Sequence, residues 1–493
     1  MQKRTRTSPL SDISKVQRSR LSQPFREKLS NGVAIAGEAI SSVETVAVGI
    51  WINCGSRDEK KEENGLTHLI EHMAFKGTAH FTAEEIVETI EGRGGYINAF
   101  TTKESSCYYA KVFKEDIEPA VRVLSELVLY PRFDEHDLRN ERKVVLSEMQ
   151  EVDDDPEDWG MDFVEEKIFS GNPLAMPILG KASSLKSFAS GDLLSFHSKN
   201  FTTDRIVVSV AGNFEWSNLI DLANRYLSSK AGNHHSPEKT RSVRRERSGI
   251  SARLKPASRS GGNFVVHRDT GRQAHILICV PAAGLNDSDR YAASMIGVIL
   301  GDGSSSRLYK MLREKDGLAY SIYTFGSAYA DSGILGIYAS TAIKDILRAE
   351  ERILKVANDF VMDGPTKDEV ARAKAQLKAG IVFSLENLWD RASLFARDEL
   401  YYDGRSNLAE SLEAIEKVTD ADIMAAARKY LLQQDGIPKG VASVENWKTG
   451  EPYGLHRAMT SLKILPNTAR GMRHQKKGAM SGRIKSNSKR RSR

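Results

Sequence analysis

One order of strand and helix patterns runs along this chain twice, and any fold must accommodate both copies. In the first copy TVAVGIWINCGS, YINAFTTKE and SCYYAKVF alternate as strands do. Amphipathic stretches over about 64–75, 82–92, 115–129 and 135–154 read as helices, and FTTDRIVVSVAGNF and WSNLIDLANRYLSS add a closing strand and helix. In the second copy HILICVPAAG and YSIYTFGSAYADSGILGIYAST supply strands. DRYAASMIGVILG, SSRLYKMLREK, KDILRAEERILKVANDFV, TKDEVARAKAQLKAGIVFSLEN and DIMAAARKYL supply helices. The parallel is closest between CYYAKVFKEDIEPAVRVLSELV and LGIYASTAIKDILRAEERILKVANDFV. Each is a strand, then a Lys and an Asp-Ile close together, then an amphipathic helix. Self-similarity at so long a period predicts two similar α+β halves of about 190–200 residues each.

Between the copies, residues 230–262 are polar, basic and rich in Ser, Gly and Pro, and read as an exposed linker. Of a net charge of +6, residues 1–28 carry +6 and residues 468–493 carry +10, so the body, 29–467, carries −10. An acidic body with two basic ends argues against a nucleic-acid binder and permits an acidic interior that attracts basic peptides. Residues 1–24 read as a basic extension or a transit segment. Residues 448–493 read as a disordered basic tail. No apolar run reaches the roughly 18–20 residues that span a bilayer. Cys54, Cys107 and Cys279 form no CxxC pair and no disulfide framework, which favours a reducing compartment.

The chemistry concentrates in the first half. In GLTHLIEHMAF, His68 and His72 stand at i, i+4 on one helix face, so two imidazoles can grip one metal. Glu71 lies beside that face, within reach of water at the metal. Zinc suits two imidazoles and a carboxylate with a fourth position open. The helix over 135–154 offers the carboxylate. Glu141 and Glu148 share a face at i, i+7, with Glu148 76 residues beyond His72. Spacing alone leaves Glu148, Glu151 and His136 in competition for the third ligand. Glu141 could instead hold a ligand imidazole in one tautomer.

HLIEH, ERKVVLSEMQEV, GGYINAFTTKE, YYAKV and REKDGLAYS together resemble the pitrilysin/insulinase family of zinc metallopeptidases, in its processing-peptidase branch. The likeness runs over about residues 28–445 and so covers both halves. It implies two homologous halves, each a mostly antiparallel sheet with packed helices, closing as a clamshell around a peptide chamber. It implies His68, His72 and Glu148 as ligands of one zinc ion per chain, Glu71 as general base, and Glu141 as their support. The second half has GDGSSSRLYKMLREK where the first has its HxxEH helix, so only the first half would hold zinc. The resemblance further implies Arg313 and Tyr320 as donors from the second half, and Asn98, Ala99 and Phe100 as an edge strand for an extended peptide. Asp158 and Asp162, ten and fourteen residues past Glu148, resemble a site for a substrate arginine.

The expected protein is a zinc metalloendopeptidase cutting unfolded, basic peptides or presequences, as a homodimer or with a related chain. Domains are expected at 25–229 (catalytic) and 263–447 (noncatalytic). A bacterial cytoplasm or a mitochondrial matrix fits. Two rivals stand beside this reading: a noncatalytic structural subunit of the same fold, and a nucleic-acid binder acting through the basic ends.

Overall fold

The computed structural model describes residues 24–228, 263–268, 273–405, 408–431 and 460–466. The expected extension lies outside the described residues except for Pro24, as does all of the expected linker over 230–262.

The first half runs β1 (Phe25–Lys28), β2 (Ala34–Ala39), β3 (Thr45–Ile52), α1 (Leu66–Ala74), α2 (Ala83–Glu91), β4 (Tyr96–Thr101) and β5 (Ser106–Phe113). It continues with α3 (Ile117–Leu129), α4 (Glu135–Asp154), α5 (Pro156–Ile168), α6 (Ala182–Ser187), α7 (Ser190–Asn200), β6 (Ile206–Gly212) and α8 (Trp216–Tyr226). The second half runs β7 (Asn263–Arg268), β8 (Gln273–Ala282), α9 (Arg290–Gly301), β9 (Ala319–Ala328) and β10 (Gly333–Ala342). After it come α10 (Ile346–Asp363), α11 (Lys367–Ser384), α12 (Leu388–Tyr402), α13 (Leu408–Lys417), α14 (Asp420–Leu431) and β11 (Thr460–Pro466).

The strands form two sheets, ordered β1-β2-β6-β3-β5-β4 and β7-β11-β8-β10-β9. Each contains one parallel pair, β2 with β6 and β11 with β7, and is otherwise antiparallel. The internal repeat is visible in detail. In both halves a 3-10 turn, Lys114–Asp116 or Ile343–Asp345, leads from a strand into a long amphipathic helix that starts at an isoleucine, Ile117 or Ile346.

The central strands β3 and β6 are buried nearly end to end, as strands covered on both faces must be. One face packs on the helices of its own half, with Leu69, Ile70, Met73, Val121 and Leu124 in that core. The other face is covered by α12, a helix of the second half, through Trp389, Ala396 and Leu400 against Ala34, Trp51 and Val207. The exchange is reciprocal. Helix α5 of the first half lies on the second sheet, where Val164 and Ile168 meet Leu277, Ile334, Leu462 and Ile464. Each such fully buried aliphatic side chain contributes roughly 1.5–3 kcal/mol. Gly160 permits the close approach, because a Cβ there would sit 2.9 Å from a Leu277 methyl. Ion pairs tie the same surfaces. Arg391 meets Glu38 at 2.7 Å, and Arg26 bridges Asp398 and Glu399. Arg57, almost fully buried, joins Glu104 and Asp331, each at 2.6 Å.

One expectation is corrected. The chain after 448 is not tail throughout: β11 inserts between β7 and β8. Leu462 and Ile464 are fully buried there, and the Lys463 ammonium is 2.8 Å from Glu350. Two alternate apolar residues suffice when a gap in a sheet awaits them, although the surrounding sequence is basic. The helix expected around SSRLYKMLREK is present as a π-helix over Tyr309–Lys315, in which the Asp316 N–H reaches back five residues to the Met311 carbonyl. Among the described residues no helix is long and apolar enough to cross a membrane.

Candidate metal centre

Helix α1 is anchored at both its start and its inner face. Gly65, at φ +100°, turns the chain into it, and a Cβ there would lie 2.9 Å from the Leu179 carbonyl oxygen. The buried Glu59 carboxylate then accepts the Gly65 and Thr67 N–H groups at 2.8 and 2.7 Å and the Asn64 amide at 3.0 Å. It thereby satisfies donors a helix start leaves open. Burial pushes the Glu59 carboxyl up to about 7, against the pull of these hydrogen bonds. Leu66, Leu69, Ile70, Met73 and Ala74 fill the core side of α1, which leaves His68, Glu71 and His72 on the other.

Helix α4 buries Leu138, Glu141 and Val145, so its packed stripe presents Glu141 and Glu148 to α1. The Glu148 Oε2 stands 3.9 Å from His68 Nε2 and 3.4 Å from His72 Nε2. The ligand-type atoms of these three residues lie within 4.8 Å of one another, and they are the one such group among the described residues. His136 is exposed and pairs with Asp137, and Glu151 is exposed, so neither competitor enters the cluster. At the far side of His72, Nδ1 meets Glu141 Oε2 at 3.2 Å, and Lys76 holds the other Glu141 oxygen at 2.9 Å.

Burial, with the neighbouring His72, pushes His68 down to about 3, so the imidazole is held neutral. Its Nδ1 is buried without a hydrogen-bond partner. Burial pushes the Glu71 carboxyl up; the Thr101 hydroxyl, which donates to Glu71 Oε2 at 2.5 Å, and His72 pull it back, while Glu148 raises it further.

A cavity of about 410 Å³ opens beside these groups. His68 and Glu71 line it together with Ala99, Phe100 and Thr101 of β4 and Asp158, Met161 and Asp162 of α5. Asn98, exposed, bridges the Tyr96 hydroxyl and the Ala99 N–H. Strand β4 is the last in its sheet, so its outer edge faces no other described strand. Asp162 is pushed up by burial and held back by Lys103, whose ammonium also meets Glu165 at 3.2 Å and the Met176 carbonyl at 2.6 Å. Asp158 is likewise raised, by burial and then by Asp155 and Glu157.

Arg313 and Tyr320 do not line this cavity. Arg313 is exposed over the Tyr309 ring, and Tyr320, at the start of β9, is 56% exposed. Glu59, Thr101 and Lys103 escape a reading from spacing, since each acts through groups far off in sequence or through main-chain donors. The only trace of Glu59 is an acid six residues ahead of a glycine that opens a helix.

Comparison with known proteins bears on this geometry. A family model described as insulinase (peptidase family M16) matches residues 34–182, and one described as peptidase M16 inactive domain matches residues 187–377. An uncharacterised zinc protease of Mycobacterium tuberculosis is 34% identical over 419 residues, covering 84% of this chain and 92% of the relative. The mitochondrial-processing peptidase subunit beta of Lentinula edodes is 32% identical over 452 residues, covering 89% and 94%. The crystal structure of a protease from Helicobacter pylori superposes with a TM-score of 0.76 at 19% identity, covering 90% of this chain and 100% of that one.

Proposed function

The chain belongs to the insulinase family of peptidases, family M16, and from that premise we propose that it is a zinc-dependent endopeptidase hydrolysing unfolded peptides or presequences in the cavity beside His68 and Glu71. The observation that carries the reading is the convergence of His68, His72 and Glu148 on one point, with Glu141 already holding His72 from behind.

The donor set suits one zinc ion per chain, with two imidazoles, one carboxylate and a fourth position open. His68 is neutral, as a ligand imidazole must be. The Glu141 contact with His72 Nδ1 leaves Nε2 as the ligating nitrogen. When bound, zinc supplies an acidified water and polarises a peptide carbonyl. Glu71 is the general base: half-buried, oriented by Thr101 and facing the cavity, it takes a proton from the attacking water and passes it to the leaving amine.

Asn98, Ala99 and Phe100 receive an extended peptide along the outer edge of β4, through main-chain hydrogen bonds that depend little on sequence. Asp158 and Asp162, which line the same cavity, favour an arginine near the scissile bond. Arg313 and Tyr320 donate from the second half to the substrate carbonyl, a role that the exposure of Tyr320 leaves open. The catalytic half spans 25–229 and the noncatalytic half 263–447 with β11 added. The enzyme works as a dimer with itself or a related chain, in a bacterial cytoplasm.

The test is metal removal and return. Chelated protein should lose hydrolysis of a quenched peptide and regain it at about one equivalent of zinc, and Glu148→Ala should bind zinc weakly. Hydrolysis that survives complete chelation contradicts the reading.

A further inference from the structure

Along β4 side chains alternate, so Tyr96, Asn98 and Phe100 share one face of the first sheet. That face also carries Tyr109 of β5 and, from the second half, Trp389 of α12. Their rings form one continuous shelf. Tyr109 stacks on Trp389 with centroids 4.0 Å apart, Tyr96 stands 6.0 Å from Tyr109, and Phe100 stands 6.2 Å from Tyr109 and 6.5 Å from Trp389. At one end the shelf reaches Phe100, a wall of the cavity that holds His68 and Glu71. At the other end Tyr96 is 45% exposed. From Tyr96 to Thr101, which touches Glu71, is about 17 Å of strand.

We propose that this shelf is a distal subsite for an aromatic or large apolar side chain of the peptide, about four or five residues from the scissile bond. The proposal rests on the reading of β4 as the substrate strand. A peptide paired along the outer edge of β4, with its scissile bond beside Glu71, brings a residue that far away alongside Tyr96. Its side chain on that face meets rings, and aromatic pairs across neighbouring strands attract. The charge nearby selects among guests. Lys111 is the cross-strand partner of Tyr96 and is exposed, so its ammonium opposes an arginine or lysine that the ring faces alone would accept. The subsite is therefore apolar in preference, although the cavity beyond it is acidic. Trp389 makes it a joint product of both halves.

The experiment walks Phe, Ala or Arg along a quenched peptide with one scissile sequence, using the full chain. The expected result is a Phe:Ala ratio in kcat/KM of roughly tenfold at one position four or five residues from the bond, carried by KM, with Arg no better than Ala. Tyr96→Ser should bring that ratio to about one, and Tyr96→Phe should keep it. Because Tyr96 is at the surface, neither change disturbs the core. The same peptides are then bound to Glu71→Gln protein and their Kd ratio measured by fluorescence, which reads the subsite without turnover. A flat profile, a preference for Arg at that position, or a ratio unchanged in Tyr96→Ser overturns the proposal. Failure of wild type to cleave any peptide would count against the proposed function, while the binding ratio would still decide the subsite.

Discussion

The hydroxyl of Thr101 donates to the carboxylate of Glu71 at 2.5 Å, and so joins the last residue of the edge strand to the proposed general base. The contact holds one of the two Glu71 carboxylate oxygens. Thr101→Val keeps the shape of the side chain and removes the donor. It should lower kcat by about tenfold, a fraction of what general-base catalysis contributes, with zinc content unchanged. Thr101→Ser should restore most of the rate. Steady-state kinetics with metal analysis decides it; an unchanged kcat would show that the contact does not orient the base.

Glu59 acts one step further from the reaction. Glu59→Ala strips two buried main-chain N–H groups at the start of α1 of their acceptor, at a cost of about 1–3 kcal/mol. His68 stands one residue beyond Thr67, so zinc should also be held less tightly. Thermal denaturation with and without a chelator should show a lower Tm in both states and a smaller gain from zinc. A gain equal to that of wild type would confine Glu59 to stability.

His197 predicts an acid sensitivity. Its Nε2 meets the Val128 carbonyl oxygen at 2.8 Å, and burial pushes the imidazole down to about 4, against that hydrogen bond. In the unfolded chain it titrates near 6.5. Between these values the unfolded state binds the proton that the folded state refuses, so stability rises with pH across the window. It is lost progressively as pH falls from about 6.5 to about 4, by about 3 kcal/mol in all. His197→Gln can keep the hydrogen bond and lacks the titration. Urea denaturation of the variant should show a shallower loss over that window, and identical curves would contradict the assignment.

Asp158 and Asp162 should set a preference for arginine. With matched peptides carrying Arg or Ala near the scissile bond, Asp158→Ala/Asp162→Ala should lower the Arg:Ala ratio of kcat/KM by about tenfold or more, as loss of a charge-assisted contact does. An unchanged ratio would place the arginine elsewhere or nowhere.

The two helices of the candidate metal centre were open to sequence reading because they depend on local periodicity. His68 with His72, and Glu141 with Glu148, share faces by helix geometry alone, and α1 and α4 lie where that geometry predicts. Spacing alone leaves Glu148, Glu151 and His136 in competition; the resemblance singles out Glu148, and the packing of α4 on α1 brings it beside the two histidines while the other two stay exposed. The exchange of α5 and α12 between halves was equally out of reach. Trp389 looks like any helical tryptophan until Trp51 and Tyr109 are brought on either side of it from more than 270 residues away. Strand β11 was hidden for the opposite reason: its apolar run is short and its neighbours in sequence are basic, so composition outweighed the alternation of Leu462 and Ile464. Arg313 and Tyr320 rest on resemblance, since neither burial nor a hydrogen bond distinguishes them here.

The most direct test compares wild type with Glu71→Gln in two measurements on the same samples, bound zinc and cleavage of a quenched, Arg-containing peptide. Glu71 is outside the ligand set but faces the same cavity, so the substitution should leave about one zinc per chain and lower kcat by at least 100-fold. Glu71→Gln protein that holds zinc and cleaves as fast as wild type, or wild-type protein that binds no zinc, would contradict the account.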